Sequence, residues 1–218
     1  MWSSEVTNMI ITGIWETLYM TLVSTLVGYV IGLPMGIILT VSDKDGIKPN
    51  AVYKILDVIA NIVRSVPFII LLVLLIPFTR LVVGKSYGST ATIVPLVIAA
   101  APYIARMVES SLKEVDAGVI EAARSMGASN FTIITKVMLV EARTSLLVGA
   151  TITLGTILGY SAMSGAVGGG GLGAIAIRYG YTRWQTDIMI VTVILLIILF
   201  QIFQTVGMKL ADKFDHRK

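Results

Sequence analysis

The sequence has no cysteine, a single histidine and few charged residues. Without a thiol there is no disulfide, no cysteine nucleophile and no thiolate metal site. The one histidine, His216, lies near the end of the chain, so sites that need several imidazoles are excluded as well. Charged residues make up 14% of the 218 residues and hydrophobic residues 56%. Because soluble domains are nearer to about a quarter charged, this composition predicts a protein embedded in a lipid bilayer.

Two glycine motifs look like nucleotide-binding signatures but lack the required context. Gly168, Gly170 and Gly173 fit G-x-G-x-x-G, yet an apolar segment of membrane-helix length precedes them where a β-strand is needed. The sequence Gly84-Lys85-Ser86 resembles the end of a P-loop, but Thr79 stands where the first glycine belongs. We therefore expect no catalytic residue, no metal, no cofactor and no ATP binding by this chain alone.

Five apolar segments are long enough to cross a bilayer, which takes about 20 mostly apolar residues. They cover residues 17–42, 58–79, 86–105, 144–163 and 188–208. The predicted fold is an all-α membrane protein with five transmembrane helices. No basic residue precedes the first segment, as a cleavable signal peptide would require, so we expect that segment to remain in the mature protein.

The distribution of basic residues predicts the orientation, because cytoplasmic loops are enriched in Lys and Arg. With the N-terminus outside, the cytoplasmic segments hold eleven: Lys44, Lys48, Lys54, Lys113, Arg124, Lys136, Arg143, Lys209, Lys213, Arg217 and Lys218. The external segments hold four: Arg80, Lys85, Arg178 and Arg183. We therefore expect the N-terminus outside and the C-terminus in the cytoplasm. The net charge of +4 then reflects orientation, and no nucleic-acid partner is expected.

Three glycines in the first span recur every four residues. Gly28, Gly32 and Gly36 therefore share one helix face. Small residues at this spacing let two helices approach closely within a bilayer. We interpret the three glycines as packing residues in preference to residues with a role in transport.

One charge lies within the second span. Arg64 begins the sequence Arg64-Ser65-Val66-Pro67, and a charge that enters the bilayer usually pairs or reaches the interface. We expect Arg64 either to anchor at the interface or to pair with Asp57 or Glu109. A second pair, Arg106 with Glu109, is expected at the end of the third span because the two residues are one helical turn apart.

The segment 121–140, EAARSMGASNFTIITKVMLV, looks water-facing within this apolar chain. Asp116 and Ser129 are suitable N-caps for two short helices, and Gly127 suits the left-handed turn that ends the first helix. The predicted unit is a helix, a glycine turn and a second helix. The expected apolar side chains are Val119, Ile120, Ala123 and Met126 on the first helix, and Phe131, Ile134 and Met138 on the second. The alternative is an amphipathic linker with a Glu121–Arg124 ion pair.

A glycine-rich block, GYSAMSGAVGGGGLG, covers residues 159–173 after the fourth span. Gly168, Gly169, Gly170 and Gly171 are consecutive and carry no side chains. In lipid, irregular backbone is tolerated only where protein buries it or water lines it. The block therefore favours a break in the helix beside a translocation path, with an external glycine loop as the alternative.

Part of segment 121–140 resembles the EAA loop of ABC-importer permeases. The residues that carry this resemblance are Glu121, Ala122, Ala123, Gly127, Val137 and Leu139. In that family the loop is the coupling helix, which docks into a cleft of the cytoplasmic ATPase. The usual pattern ends in Leu-Pro, whereas Val140 follows Leu139 here.

The resemblance extends over about residues 14–208. The blocks RSVPFIILL, IVPLVIAAAPYIARMVE, EAARSMGAS and GYSAMSGAVGGGGLG resemble the methionine-import permeases. This implies a type I permease fold, with a transmembrane domain over 14–208, a coupling loop over 113–143 and a cytoplasmic tail over 209–218. It also implies a lipid-embedded homodimer in the bacterial cytoplasmic membrane, two copies of an ATPase subunit, and an external binding protein that delivers D- or L-methionine.

Other functions stay open. The substrate could be another amino acid or a small polar solute. A secondary transporter is a second alternative, although such carriers place acidic residues or histidine deep in their spans and none is obvious here. A membrane assembly protein without transport activity is the third.

The end of the fourth span is the expected gate. Residues that face a two-fold axis meet their own copies, and Tyr160, Ser161, Met163 and Ser164 lie just before the glycine run. The Met163 side chain is flexible and polarizable, so it can repack as a substrate passes. We expect these residues to line the gate without a deep binding pocket, which leaves selectivity mainly to the external binding protein. Ordinary packing of Met163 is the alternative.

Overall fold

The computed structural model describes residues 4–214, which are almost entirely helical and contain no β-strand. Residues 1–3 and 215–218 lie outside the described part, and with them His216 and the end of the predicted tail. The four long helices are α1 (Ser4–Ser42), α5 (Ser89–Lys113), α9 (Arg143–Ser164) and α11 (Thr186–Lys213). The all-α prediction is confirmed.

Shorter elements connect the long helices. The α-helical ones are α2 (Val52–Ser65), α3 (Phe68–Leu74), α4 (Ile76–Val83), α6 (Ala117–Ser125), α7 (Asn130–Thr132), α8 (Leu139–Glu141) and α10 (Gly171–Ile175). Two π-helical stretches (Ile133–Met138 and Ala176–Tyr181) and one 3₁₀ turn (Gly165–Val167) complete the described chain.

The bundle has two ends, which two contacts define. At one end the Gly88 N–H, just before α5, donates to the Gly168 carbonyl after α9, at 2.8 Å. At the other end Lys113, which closes α5, contacts Asp43, which follows α1. We call these the glycine end and the loop end, since the second carries segment 114–142.

The chain passes five times between these ends. The α1 helix starts near the glycine end, where the Leu172 N–H donates to Thr17 Oγ1 at 2.9 Å. The α11 helix finishes at the loop end, where Arg143 Nη2 donates to the Phe214 carbonyl at 3.2 Å. The intervening passes are α2 to α4 together, α5 and α9. Residues 4 and 214 therefore lie at opposite ends of the bundle.

The second pass is bent, which corrects the prediction of one span over residues 58–79. The axes of α2 and α3 meet at 101°. The cause is Pro67, which has no N–H and whose ring pushes the preceding residue out of the helical region. Val66 accordingly has φ −81° and ψ 124°. Beyond the break, α3 and α4 contain seven and eight residues and together complete the pass.

The glycine stripe of α1 packs against α5. A Cβ on Gly32 would lie 2.6 Å from the Ala101 carbonyl oxygen, and one on Gly36 would lie 2.6 Å from the Ala105 carbonyl oxygen. On Gly28 it would meet the Ile104 side chain at 2.9 Å. Contacts this short with backbone exclude any side chain, so the stripe sets the distance between α1 and α5.

Several helices are longer than the predicted spans. The α1 helix begins at Ser4 instead of near residue 17, so Glu16 lies well inside it. The α5 helix continues past residue 105 to Lys113 and carries Arg106 and Glu109 on its last turns. The fourth and fifth spans agree with α9 and α11 to within a few residues at each end.

Candidate coupling loop and gate

Local capping builds the helix–turn–helix unit at the loop end, as predicted. The Asp116 carboxylate accepts from the Gly118 N–H at 2.7 Å and caps α6. Gly127 has φ +81°, the left-handed conformation that ends a helix with little cost only at glycine. Ser129 Oγ accepts from the Thr132 N–H at 3.2 Å and caps α7.

One side of this unit is packed and the other is open. Ala123, Ile133 and Met138 are buried and join the hydrophobic core. Met126 and Phe131, expected only to belong to an apolar side, are 82% and 75% exposed. Exposed large apolar side chains such as these are typical of an interaction surface.

The ion pair of the linker alternative is not formed. Glu121 and Arg124 are both exposed on α6, and the structure records no salt bridge between these two described residues. Both line an open cleft of about 480 Å³ that α6 forms with the ends of α1 and α5. Glu121 is therefore available to a partner that approaches the loop end.

A chain of five alternating charges connects α2, α5 and the end of α1. Arg106 binds Asp57 of α2 and lies 2.6 Å from Glu109 Oε2. Lys113 Nζ lies 2.8 Å from Glu109 Oε1 and 2.7 Å from Asp43 Oδ2. Glu109 is 4% exposed, so both cations are needed to offset its burial. The hydrogen bond from Lys113 lowers the pKa of Asp43, because it stabilises the ionised form of the carboxylate.

Of the two expectations for Arg64, the pairing with Asp57 or Glu109 was wrong and the anchoring stays a prediction, while the Arg106–Glu109 pair is confirmed. Asp57 and Glu109 both bind Arg106, because Glu109 lies one turn further along α5 and Asp57 lies on α2, which packs against α5. Arg64 is exposed, and its guanidinium carbon lies 6.0 Å from the centre of the Tyr103 ring.

The glycine block is held against α1 and α5 and is not a free external loop. The Gly171 N–H donates to Glu16 Oε2 at 2.7 Å, and Thr92 Oγ1 of α5 donates to the Gly169 carbonyl at 3.2 Å. Glu16 was missed by the sequence reasoning. The signal that could have found it is a lone acid in the apolar run MIITGIWETLYM.

Glycine also lets the chain fold back after α9. Gly168, Gly170 and Gly171 have φ of 85°, 92° and 72°, values that other residues rarely adopt. A Cβ on Gly173 would lie 2.1 Å from the Ala162 carbonyl oxygen, so α10 lies directly against the end of α9. The predicted break in the helix is present at the glycine end.

The four predicted gate residues do not share one face. Ser161 and Ser164 are buried, and their hydroxyls donate to the carbonyls of Leu158 and Ser161 at 2.8 and 2.6 Å. Met163 is 52% exposed. Tyr160 is half-buried and stacks on Phe68 with 4.4 Å between ring centres. Of the four predicted gate residues, Met163 and Tyr160 can therefore line a path along α9, because helix geometry turns the two serines inward.

The comparison with protein families agrees with this architecture. A family model described as binding-protein-dependent transport system inner membrane component matches residues 32–217. The chain belongs to this family. The chain is therefore an inner-membrane transport component, and its apolar helices, four long ones and one bent pair, make it a multi-pass protein of that membrane.

Two relatives of this transport component carry the same functional name. The probable D-methionine transport system permease protein MetI of Vibrio cholerae is 48% identical over 217 residues, which cover 99% of this chain and 96% of the relative. The D-methionine transport system permease protein MetI of Escherichia coli K12 is 51% identical over 158 residues, which cover 72% of this chain and 73% of the relative.

Solved structures share the fold. A structure described as an inward facing conformation of the MetNI methionine ABC transporter matches with a TM-score of 0.97 and 48% identity, covering 99% of this chain and 100% of that chain. A crystal structure of an amino acid ABC transporter with histidines matches with a TM-score of 0.74 and 22% identity, covering 98% and 96%. At that identity the second likeness concerns the fold alone.

Proposed function

We propose that this chain is the membrane-spanning permease subunit of an ATP-driven importer that carries methionine, D- or L-, across the cytoplasmic membrane. The observation that carries the proposal is the 48% identity, over nearly the whole chain, with a permease named for D-methionine transport. The close match to a methionine ABC transporter structure supports it. In this proposal two copies of the chain assemble with two ATPase subunits and an external binding protein, and ATP hydrolysis belongs to the ATPase.

The coupling role falls to segment 113–143, within a transmembrane domain over 14–208. Glu121, Ala122, Ala123 and Gly127 form the motif, and of these the buried Ala123 fixes α6 to the core. The exposed Met126 and Phe131 supply apolar surface for a cleft on the ATPase, and Glu121 supplies a charge at the edge of that surface. ATP-driven closure of the two ATPases then moves the loop unit and opens the path outward.

The orientation follows the basic residues. The loop end carries most of the Lys and Arg side chains, which supports a cytoplasmic location for it. The N-terminus is then outside, and residues 209–218 form a cytoplasmic tail. The glycine end faces the external binding protein, with Gly168 to Gly171 held between α1 and α5 at the outer mouth of the path.

The gate in this proposal is formed by Met163 and Tyr160 near the end of α9. Met163 is exposed in the last turn of α9, where Ser161 and Ser164 are buried. In this proposal Met163 meets its copy across a two-fold axis. Gly168 to Gly171, which follow it, provide the positive φ values that let α10 fold back beside the gate.

A secondary transporter is the remaining alternative class. Such carriers use acidic groups that gain and lose protons within the membrane. Two acids well inside the long helices are engaged: Glu109 binds two cations, and Glu16 accepts from the Gly171 N–H. Both contacts favour a structural role for these carboxylates over a proton-coupling role.

Co-purification with an ATPase tests the proposal and separates the classes. We expect the tagged chain to retain a cytoplasmic ABC ATPase as a stable complex. The Gly127→Val variant should bind less ATPase or fail to stimulate it, whereas Gly149→Ala, whose new methyl group meets only the Met107 side chain, should behave as wild type. Methionine transport by the chain without any ATPase would instead support a secondary carrier.

A further inference from the structure

A cavity of about 180 Å³ lies beside the break between α2 and α3. Its walls come from four helices, and its chemically distinct lining residues are Arg64, Phe68, Tyr103 and Tyr160. The remaining lining side chains are aliphatic. The site is therefore a space with aromatic and aliphatic walls, polar groups of Arg64 and two tyrosines, and one cation at its edge, which are the features of a small-ligand site.

Arg64 is the only guanidinium at this cavity, and its charge is not neutralised. The structure records no salt bridge to Arg64 within residues 4–214. The acids that could have reached it, Asp57 and Glu109, are bound to Arg106. Tyr103 is its aromatic neighbour, at 6.0 Å from the ring centre. A planar guanidinium in this position is suited to bidentate binding of a carboxylate.

The aromatic part of the cavity wall is suited to a sulfur-containing side chain. Phe68 and Tyr160 stack with 4.4 Å between ring centres and 4° between ring planes. A thioether gains favourable contact energy beside aromatic rings. The stacked pair also connects α3 to α9, so it fixes the cavity relative to the proposed gate.

The cavity lies on the loop-end side of Met163. The α9 helix runs from the loop end to the glycine end, and Tyr160 precedes Met163 by one turn. With the loop end in the cytoplasm, an amino acid that has passed Met163 meets this cavity next.

We propose that this cavity is a transient binding subsite for the free amino acid on the cytoplasmic side of the gate. Arg64 binds the α-carboxylate, and the Phe68–Tyr160 pair contacts the thioether of methionine. The proposal rests on the proposed function, and it adds a place in the permease itself where substrate chemistry is recognised.

Direct binding of radiolabelled methionine tests the subsite. The preparation is the purified permease–ATPase complex in lipid nanodiscs, without nucleotide and without binding protein. We expect saturable binding to wild type that Arg64→Ala weakens by about tenfold to a hundredfold, the range of a lost charge-assisted hydrogen bond. Arg64→Lys should fall in between. Arg80→Ala, an exposed arginine at the other end of the bundle, should bind as wild type.

Ligand analogues test the two halves of the proposed contact. Methioninamide, which lacks the carboxylate, should not compete with methionine for wild type. Norleucine, which keeps the carboxylate and replaces sulfur by a methylene, should compete more weakly than methionine. Equal affinity of wild type and Arg64→Ala for methionine overturns the proposal, as does the absence of saturable binding to wild type. An Arg64→Ala effect confined to ATPase activity in anionic lipid also overturns it, because Arg64 then binds headgroups.

The same complex, supplemented with binding protein and reconstituted in proteoliposomes, separates this proposal from the proposed function. If wild type takes up methionine with ATP while Arg64→Ala binds methionine equally well, the subsite is wrong and the function stands. If wild type takes up no methionine, both are overturned. Retention of the ATPase by Arg64→Ala shows that the variant is folded, and Arg64→Gln provides a second neutral variant of similar size.

Discussion

Lys113, the last residue of α5, lies 2.7 Å from Asp43, the first residue after α1. This contact fixes the ends of the two helices to each other immediately before α6 begins. Further along α1 towards the glycine end, Gly32 and Gly36 hold the same two helices at backbone contact distance. The loop unit is therefore attached to α1 and α5 where these two helices are held in close contact.

The first prediction concerns the charge chain around buried Glu109. Arg106→Ala removes one of its two cations and leaves Asp57 without its partner, so we expect a loss of roughly 3 kcal/mol of stability. The measurement is the apparent melting temperature of the purified complex. Arg80→Ala, an exposed arginine away from this chain of charges, serves as the control. An unchanged melting temperature for Arg106→Ala would show that the chain of charges does not hold α2 to α5.

The second prediction concerns the contact between α1 and α5. Gly32→Ala places a methyl group 2.6 Å from the Ala101 carbonyl oxygen, so the helices must separate at a cost of roughly 1–3 kcal/mol. In Gly149→Ala the new methyl group meets only the flexible end of Met107, at 3.4 Å. Thermal unfolding should therefore detect a loss in the first variant and little change in the second. Equal stability of the two variants would contradict the packing role of the stripe.

The parts of the fold that sequence predicted correctly depend on local chemistry. The caps at Asp116 and Ser129 and the turn at Gly127 each involve atoms within a few residues, so spacing alone indicates them. The helix-forming apolar segments are local in the same sense. Boundaries were less accurate, because helices continue beyond the uncharged apolar stretch that marks a span in the sequence, as α1 does from Ser4.

The parts that sequence missed depend on which residues meet in space. Arg64 and Arg106 are both cations near the same acids, and only the packing of α2 on α5 decides that Arg106 binds them. Similarly, Ser161 and Ser164 adjoin Met163 in sequence but face the bundle interior. The contact of Glu16 with Gly171 joins positions far apart in the chain, and no local pattern predicts it.

The third prediction concerns orientation. The chain has no cysteine, so a single introduced cysteine is a unique label. Cysteines at Lys48 or Ser129, at the loop end, should be protected from an impermeant thiol reagent in intact cells. Cysteines at Ser89 or Thr182, at the glycine end, should be labelled. The reverse pattern would contradict the orientation and the coupling role together.

The fourth prediction concerns the gate. Met163→Cys should cross-link to its copy in the resting dimer, because in the proposed function the exposed Met163 faces the two-fold axis. ATP-state trapping should lower the yield. Ser164→Cys is the matched control, since its side chain position is fully buried and should give no cross-link. If Met163→Cys forms no cross-link in any nucleotide state, in protein that retains its ATPase, the gate lies elsewhere.

The fifth prediction tests the coupling loop. Glu121→Ala removes an exposed charge, and Gly127→Val forces a branched side chain into φ +81°. Both variants should reach the membrane at normal abundance and lose most methionine-stimulated ATP hydrolysis. Glu114→Ala, an exposed acid just before α6, should retain it. Normal stimulation in both variants would show that another segment couples the subunits.

The most direct test of the central claim is methionine uptake into proteoliposomes that contain this chain, its ATPase and the external binding protein. We predict uptake that requires ATP and binding protein, is unaffected by collapse of the proton gradient, and is abolished by Gly127→Val. Uptake that proceeds without ATP, or that follows the proton gradient, would contradict the claim that this chain is the permease of an ATP-driven methionine importer.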